Sequence, residues 1–136
     1  MAELVKSYTY GEEIPERVLV KFSQEGTVVK ATSPEDNVCG VAMYHGQSGA
    51  KGDVKLLGMA LVETTGAVNA GDFLMPTTGG KAKVLNLTDI EDGTIINVVG
   101  QALETSSTGA HLWVVIKPQT IIAHIPDEDA AEETQG

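Results

Sequence analysis

The sequence predicts an all-β fold: a small β-barrel or β-tulip-like domain built of short antiparallel hairpins. Three observations carry that prediction. No ten-residue stretch shows amphipathic helical periodicity, while short runs rich in Val, Leu and Ile recur along the chain. Turn signals separate these runs at close spacing, among them Ser33-Pro34-Glu35-Asp36-Asn37, Asn69-Ala70-Gly71-Asp72 and Asp92-Gly93. One pattern also occurs twice: Gly40-Val41-Ala42 is followed by Gly49-Ala50, and at the same interval Gly100-Gln101-Ala102 is followed by Gly109-Ala110. Each copy reads as strand, polar turn, strand.

In chain order, residues 1–16 carry little periodicity and read as an extended N-terminal arm. Ile14 is kept out of helix by the proline that follows it. Ser7-Tyr8-Thr9-Tyr10 favours strand and suits pairing with an exposed sheet edge on a partner. Arg17–Phe22 and Gly26–Ala31 form the first hairpin, and Val38–Tyr44 opens the first repeat copy. Asp53–Val62 is the longest strand, with Gly58 in its middle marking a bulge or bend. The stretch Gly66–Val84 is the organising element: strands Asp72–Met75 and Lys81–Leu85 around the turn Pro76-Thr77-Thr78-Gly79-Gly80. Ile95–Glu104 and His111–Lys117 form the second copy. There Leu112, Val114 and Ile116 face one way and Trp113 the other; Trp113 is assigned to the core, with a subunit contact as the alternative. Pro118 interrupts, and Gln119–Ile125 is a last short strand ended by Pro126. The division is arm 1–16, barrel 17–126 and a disordered acidic tail 127–136, with arm and tail both dispensable for folding.

Composition narrows the function. With 136 residues the chain fits one domain, and 19 acidic against 9 basic residues give a net charge of −10. That sign provides no Lys/Arg excess for displacing counterions from DNA or RNA, so no direct nucleic-acid binding is expected. No apolar run is long enough to span a bilayer, and the polar start has no signal-peptide core. A membrane partner is therefore not expected, and the reading is of a chain made in the cytoplasm. Cys39, the single cysteine, sits in an apolar run and reads as a small buried hydrophobe. His45, His111 and His124 share no metal-ligand spacing, and no nucleophile elbow, Cys-x-x-Cys or phosphate loop occurs. The expectation is of a protein that is not an enzyme, with no metal and no cofactor. Gly66-Ala67-Val68-Asn69-Ala70-Gly71-Asp72 is similar to the turn of biotin- or lipoyl-carrier barrels. The following hairpin tip, however, lacks a lysine beside Met75, and Lys81 is one strand position late.

The order of these pieces resembles the head decoration (capsid cement) proteins of tailed bacteriophages. The residues carrying the likeness are Gly40-Val41-Ala42, Gly49, Gly58-Met59-Ala60-Leu61, Ala70-Gly71-Asp72, Gly80-Lys81-Ala82-Lys83-Val84, Gly100-Gln101-Ala102-Leu103 and Leu112-Trp113-Val114-Val115-Ile116. The resemblance covers about Thr27–Lys117. It implies a homotrimeric structural protein of the virion, on the outer surface of the head, with the major capsid protein as partner. Attachment is assigned to the arm through Leu4, Val5, Tyr8, Tyr10 and Ile14, with Ser33–Asn37 and His45–Lys51 as the next candidates. The alternatives are a carrier-type or small-ligand β-barrel and a phage tail or baseplate β-module.

Overall fold

A computed structural model describes residues 3–85, 93 and 95–122. It consists of nine strands and one short 3-10 turn: β1 (Leu4–Tyr10), β2 (Leu19–Gln24), β3 (Thr27–Lys30), β4 (Val38–Ala42), β5 (Lys51–Glu63), β6 (Phe73–Pro76), the turn Thr78–Gly80, β7 (Ala82–Val84), β8 (Ile95–Ala102) and β9 (His111–Ile122). All nine belong to one sheet ordered β1-β3-β2-β4-β5-β9-β8-β6-β7. A further pairing of β1 with β5 closes the first five strands into a barrel. The fold is thus all-β with a closed barrel. The acidic tail and the Thr88–Asp92 part of the connection before β8 lie outside the described residues.

The N-terminal stretch is extended, but it is not an appendage. β1 runs antiparallel to β5 from Leu4↔Leu57 to Thr9↔Lys51, and parallel to β3 at Thr9↔Thr27 and Tyr10↔Val28. Without it the barrel would stay open between β3 and β5. Gly58 has φ of +113° and marks where β5 changes partner. Leu57 is the last residue paired to β1, and Gly58 is the first paired to β9, opposite Ile116. The expected bend is real, and it hands one strand from the barrel to a second group of strands.

That second group repeats the first. β2–β3 and β6–β7 are hairpins, as are β4–β5 and β8–β9, and the central pair β5–β9 is flanked outward by β4 and β8, then β2 and β6, then β3 and β7. Backbone bonds match pair by pair. Arg17 N–H donates to Ala42 O at 2.7 Å, and Gly71 N–H to Ala102 O at 2.7 Å. Ile14 and Gly46 exchange two bonds, as do Val68 and Ser106. Ala31 N–H reaches Leu19 O at 2.9 Å, and Leu85 N–H reaches Phe73 O at 2.8 Å. Gly11 N–H reaches Val28 O, and Thr65 N–H reaches Ala82 O. The chain is therefore two copies of one five-strand module. The first holds β1 to the start of β5; the second holds the end of β5 to β9, with the end of β5 in the place of β1. The glycine repeat seen in the sequence is the part of this duplication that kept its side chains.

Burial follows the modules. Tyr10, Ile14, Val18, Val20, Val28, Ala42 and Val54 fill the first barrel. A larger cluster fills the second module and joins it to the first through Leu19, Ala31, Val38 and Val41. Two expectations are corrected. Trp113 is 45% exposed and so does not belong to the core, because β9 alternates and its inward residues are Leu112, Val114 and Ile116. Pro118 does not end β9: the register slips between Val98↔Gln119 and Gly100↔Ile116, and this irregularity absorbs the proline's missing donor.

Candidate interaction surfaces

The five arm residues assigned to attachment do not share one surface. Leu4 and Val5 are 52% and 43% exposed, and Tyr8 is half-buried. Tyr10 and Ile14 are buried in the first barrel, which removes them from any direct contact with a partner. The Tyr10 ring lies against Gly46 and Gly52, and its hydroxyl donates to Tyr44 O at 2.7 Å. Burial, with Asp53 nearby, pushes the Tyr10 phenol above its ordinary pKa. The residues that bury Tyr10 and Ile14 are spread from Val18 to Val54, too far along the chain for local pattern to show.

What remains outward on β1 is a strand edge beside an aromatic hollow. β1 extends past the start of β3, whose pairing with it is confined to Thr9 and Tyr10. Thr9 N–H and Gly11 N–H point to the β3 side, bonding Gly26 O and Val28 O, while Tyr10 N–H points to the β5 side. By strand alternation Ser7 also aims its backbone toward the β3 side, beyond the point where β3 begins. There Tyr8 and Phe22 meet edge to face with centroids 5.1 Å apart, and Lys6 Nζ stands 5.9 Å from the Tyr8 ring centre. Lys6, Tyr8, Phe22, Gln24 and Gly26 border a hollow of about 490 Å³. Phe22, 48% exposed, is a member of this surface that the sequence reading missed. Strand alternation gave no signal for it, because Phe22 shares the parity of the buried Val20 and is exposed where β2 runs out toward the β2–β3 turn.

The two loops named as next candidates are held firmly. In Ser33–Asn37 the Asp36 carboxylate accepts from Thr32 N–H at 2.7 Å and Ser33 N–H at 3.2 Å, and Lys21 Nζ is 3.0 Å away. Burial pushes the Asp36 pKa up, but the Thr32 bond and Lys21 outweigh it and the net shift is downward. A lowered folded-state pKa gives stability that is present above the unfolded value, about 3.9, and lost as pH falls through the folded one. Asp36→Asn should therefore reduce stability by about 1–2 kcal/mol above pH 5. The gap to the wild type should shrink in acid-unfolding curves below pH 4. In the second loop His45 Nε2 and Gln47 Nε2 sit 2.9 Å and 3.1 Å from a Glu13 carboxylate oxygen. Bonding from His45, then Gln47, lowers the Glu13 pKa.

Other chemistry is sparse among the described residues. No group of three or more His, Cys, Asp or Glu is placed to hold a metal ion, and no helix is long and apolar enough to cross a membrane. His124 lies outside the described residues. Cys39 is skipped in the pairing of β2 with β4, where Val20 meets Gly40 and Lys21 meets Val38, and burial pushes its thiol up to about 11. Alkylation of the native protein at pH 8 should be far slower than that of the denatured chain, and the ratio of rates measures this. Lys81 closes the base of the β6–β7 loop, where its carbonyl accepts from Thr77 N–H at 2.8 Å and its Nζ stands 3.6 Å from Glu63 Oε1.

No family model matches the chain, and no curated protein matches its sequence. Among solved structures, the chain is similar to the N base of the head fibre protein gp8.5 of bacteriophage phi29. The TM-score is 0.63 at 18% identity, over 85% of this chain and 95% of that one. The likeness extends over both modules and shows a shared fold.

Proposed function

We propose that the chain is a structural protein of a bacteriophage head, a decoration or cement protein on the outer surface of the shell. The observation that supports this reading most is the shared fold with a phage head fibre base over nearly its whole length. The order of turns and strands that resembles capsid cement proteins adds to it. In this reading the chain binds the major capsid protein and stabilises contacts between neighbouring subunits, with no catalysis and no cofactor. It works as a homotrimer, so that three weak contacts act with a high effective concentration.

Attachment is assigned to the exposed part of β1. Leu4 and Val5 present apolar side chains at the start of a strand that β5 already holds in place. A partner segment therefore meets an ordered edge and bears less of the ordering cost that a mobile arm would impose. The test is co-sedimentation of the full chain with expanded heads of the phage that encodes it. The wild type should pellet with heads to saturation. The double variant Leu4→Ser, Val5→Ser should bind at least about tenfold more weakly with an unchanged melting temperature. Equal binding by the variant would move attachment off β1, and no binding by either would sink the head reading.

A further inference from the structure

The contact that joins the two modules leaves a free counterpart at each end of the chain. Within the chain, Leu19 and Val41 of the first module are buried in one cluster with Ala60 and Val62 of the second. Glu63 N–H donates to Arg17 O at 2.7 Å. Gly80, at the β6–β7 tip, lies so close to Val18 and Leu19 that a Cβ there would stand 3.0 Å from Val18 Cβ. The first module thus offers its Arg17–Leu19 corner, and the second covers it with the end of β5 and the β6–β7 tip.

Residues equivalent by the duplication show what is left uncovered. Leu19 is fully buried, and its counterpart Phe73 is 47% exposed; Val41 is buried, and its counterpart Gln101 is exposed. On the complementary face Ala60, Pro76 and Gly80 are buried, while their counterparts Lys6, Phe22 and Gly26 are exposed. Each free face also carries a hollow. One of about 290 Å³ is bordered by Phe73, Gln101 and Val115, and the other is the Tyr8–Phe22 hollow.

We propose that the Phe73 face of one copy docks on the Tyr8–Phe22 face of a second copy, repeating between chains the contact that joins the modules within each. The second copy is the occupant because the chain already displays this contact once, between equivalent parts. Such a contact uses two different surfaces, so it propagates head to tail and forms a closed ring when the rotation per copy allows. Only the closure at three copies rests on the trimer reading above. Within a chain the continuous β5 holds the modules together; between chains nothing does, so association depends on concentration. Copies of charge −10 repel, so added salt strengthens association.

The test is sedimentation velocity on the full chain without heads, so its failure is read separately from failure of head binding. The wild type should associate with rising concentration and more strongly at 0.5 M than at about 0.05 M salt. Phe22→Glu and Phe73→Glu each remove one face and should each associate at least about tenfold more weakly. Both side chains lie outside the core, so melting temperatures should stay within a few degrees; if not, Phe22→Ser and Phe73→Ser replace them. An equimolar mixture of the two variants should give one-to-one dimers and nothing larger, because each keeps the face the other lacks. A wild type that is monomeric at every attainable concentration overturns the proposal. So does association that survives both substitutions, or a mixture that stays monomeric.

Discussion

Deletion of residues 2–14 should abolish cooperative folding. The segment includes β1, which closes the barrel between β3 and β5, and both Tyr10 and Ile14 from its interior. Replacing an aromatic core residue by alanine costs about 3–5 kcal/mol and a core Ile about 2–5. Together these approach the whole stability of a typical domain, about 5–15 kcal/mol, before the lost strand pairing is counted. The point variant Tyr10→Ala isolates the interior term: it should cost about 3–5 kcal/mol. Tyr10→Phe loses only the bond to Tyr44 O and should cost about 1 kcal/mol. Urea unfolding of the three proteins, followed by circular dichroism, checks the series. A deleted protein with native dichroism and a sharp transition would show that β1 is an arm after all.

Gly100→Ala should be nearly as damaging, and Gly40→Ala should resemble it. At Gly100 an added Cβ would overlap the Val115 carbonyl oxygen and stand 2.9 Å from its carbon; at Gly40 it would overlap the Lys55 carbonyl oxygen. Both obstacles are backbone of the paired strand, which cannot turn aside as a flexible side chain could. Relief requires parting β8 from β9 or β4 from β5, and a cost of about 3 kcal/mol or more is expected for each. Gln101→Ala, one residue along on the exposed side, loses only the bond its Nε2 donates to Gly71 O at 2.8 Å and should cost no more than about 1 kcal/mol. Thermal unfolding of the three variants measures the contrast, and a mild effect at Gly100 would mean that β8 and β9 lie farther apart than the approach of Gly100 to the Val115 carbonyl requires.

Much of the fold was legible because its signals are local. Turns such as Ser33–Asn37 and Asn69–Asp72, the bend at Gly58 and the paired glycines of the two hairpins all announce themselves over a few residues. β1 was not legible, because its partners lie far along the chain and its own alternation is weak. Tyr8 and Tyr10 share a parity yet have different fates, one half-buried beside Phe22 and the other in the interior. The full duplication was hidden for a related reason. Equivalent positions kept their backbone bonds but not their chemistry: Arg17 stands where Gly71 stands, Phe22 where Pro76 does, and Tyr10 where Thr64 does. Arg17 has φ of +66°, the only non-glycine left-handed residue among those described, at the position its counterpart fills with glycine. Of the residues proposed for attachment, Leu4 and Val5 are outward while Tyr10 and Ile14 are buried, a difference set by partners far along the chain and not by local pattern.

The central claim, that this chain decorates the outside of a phage head, is tested most directly by imaging expanded heads with and without the added full-length protein. Electron-microscopic reconstruction should show extra density of two joined β modules on the outer surface, repeated with the symmetry of the shell, with the start of β1 turned toward the capsid protein. Heads that gain no density at saturating protein, or density confined to the tail vertex, would contradict the account.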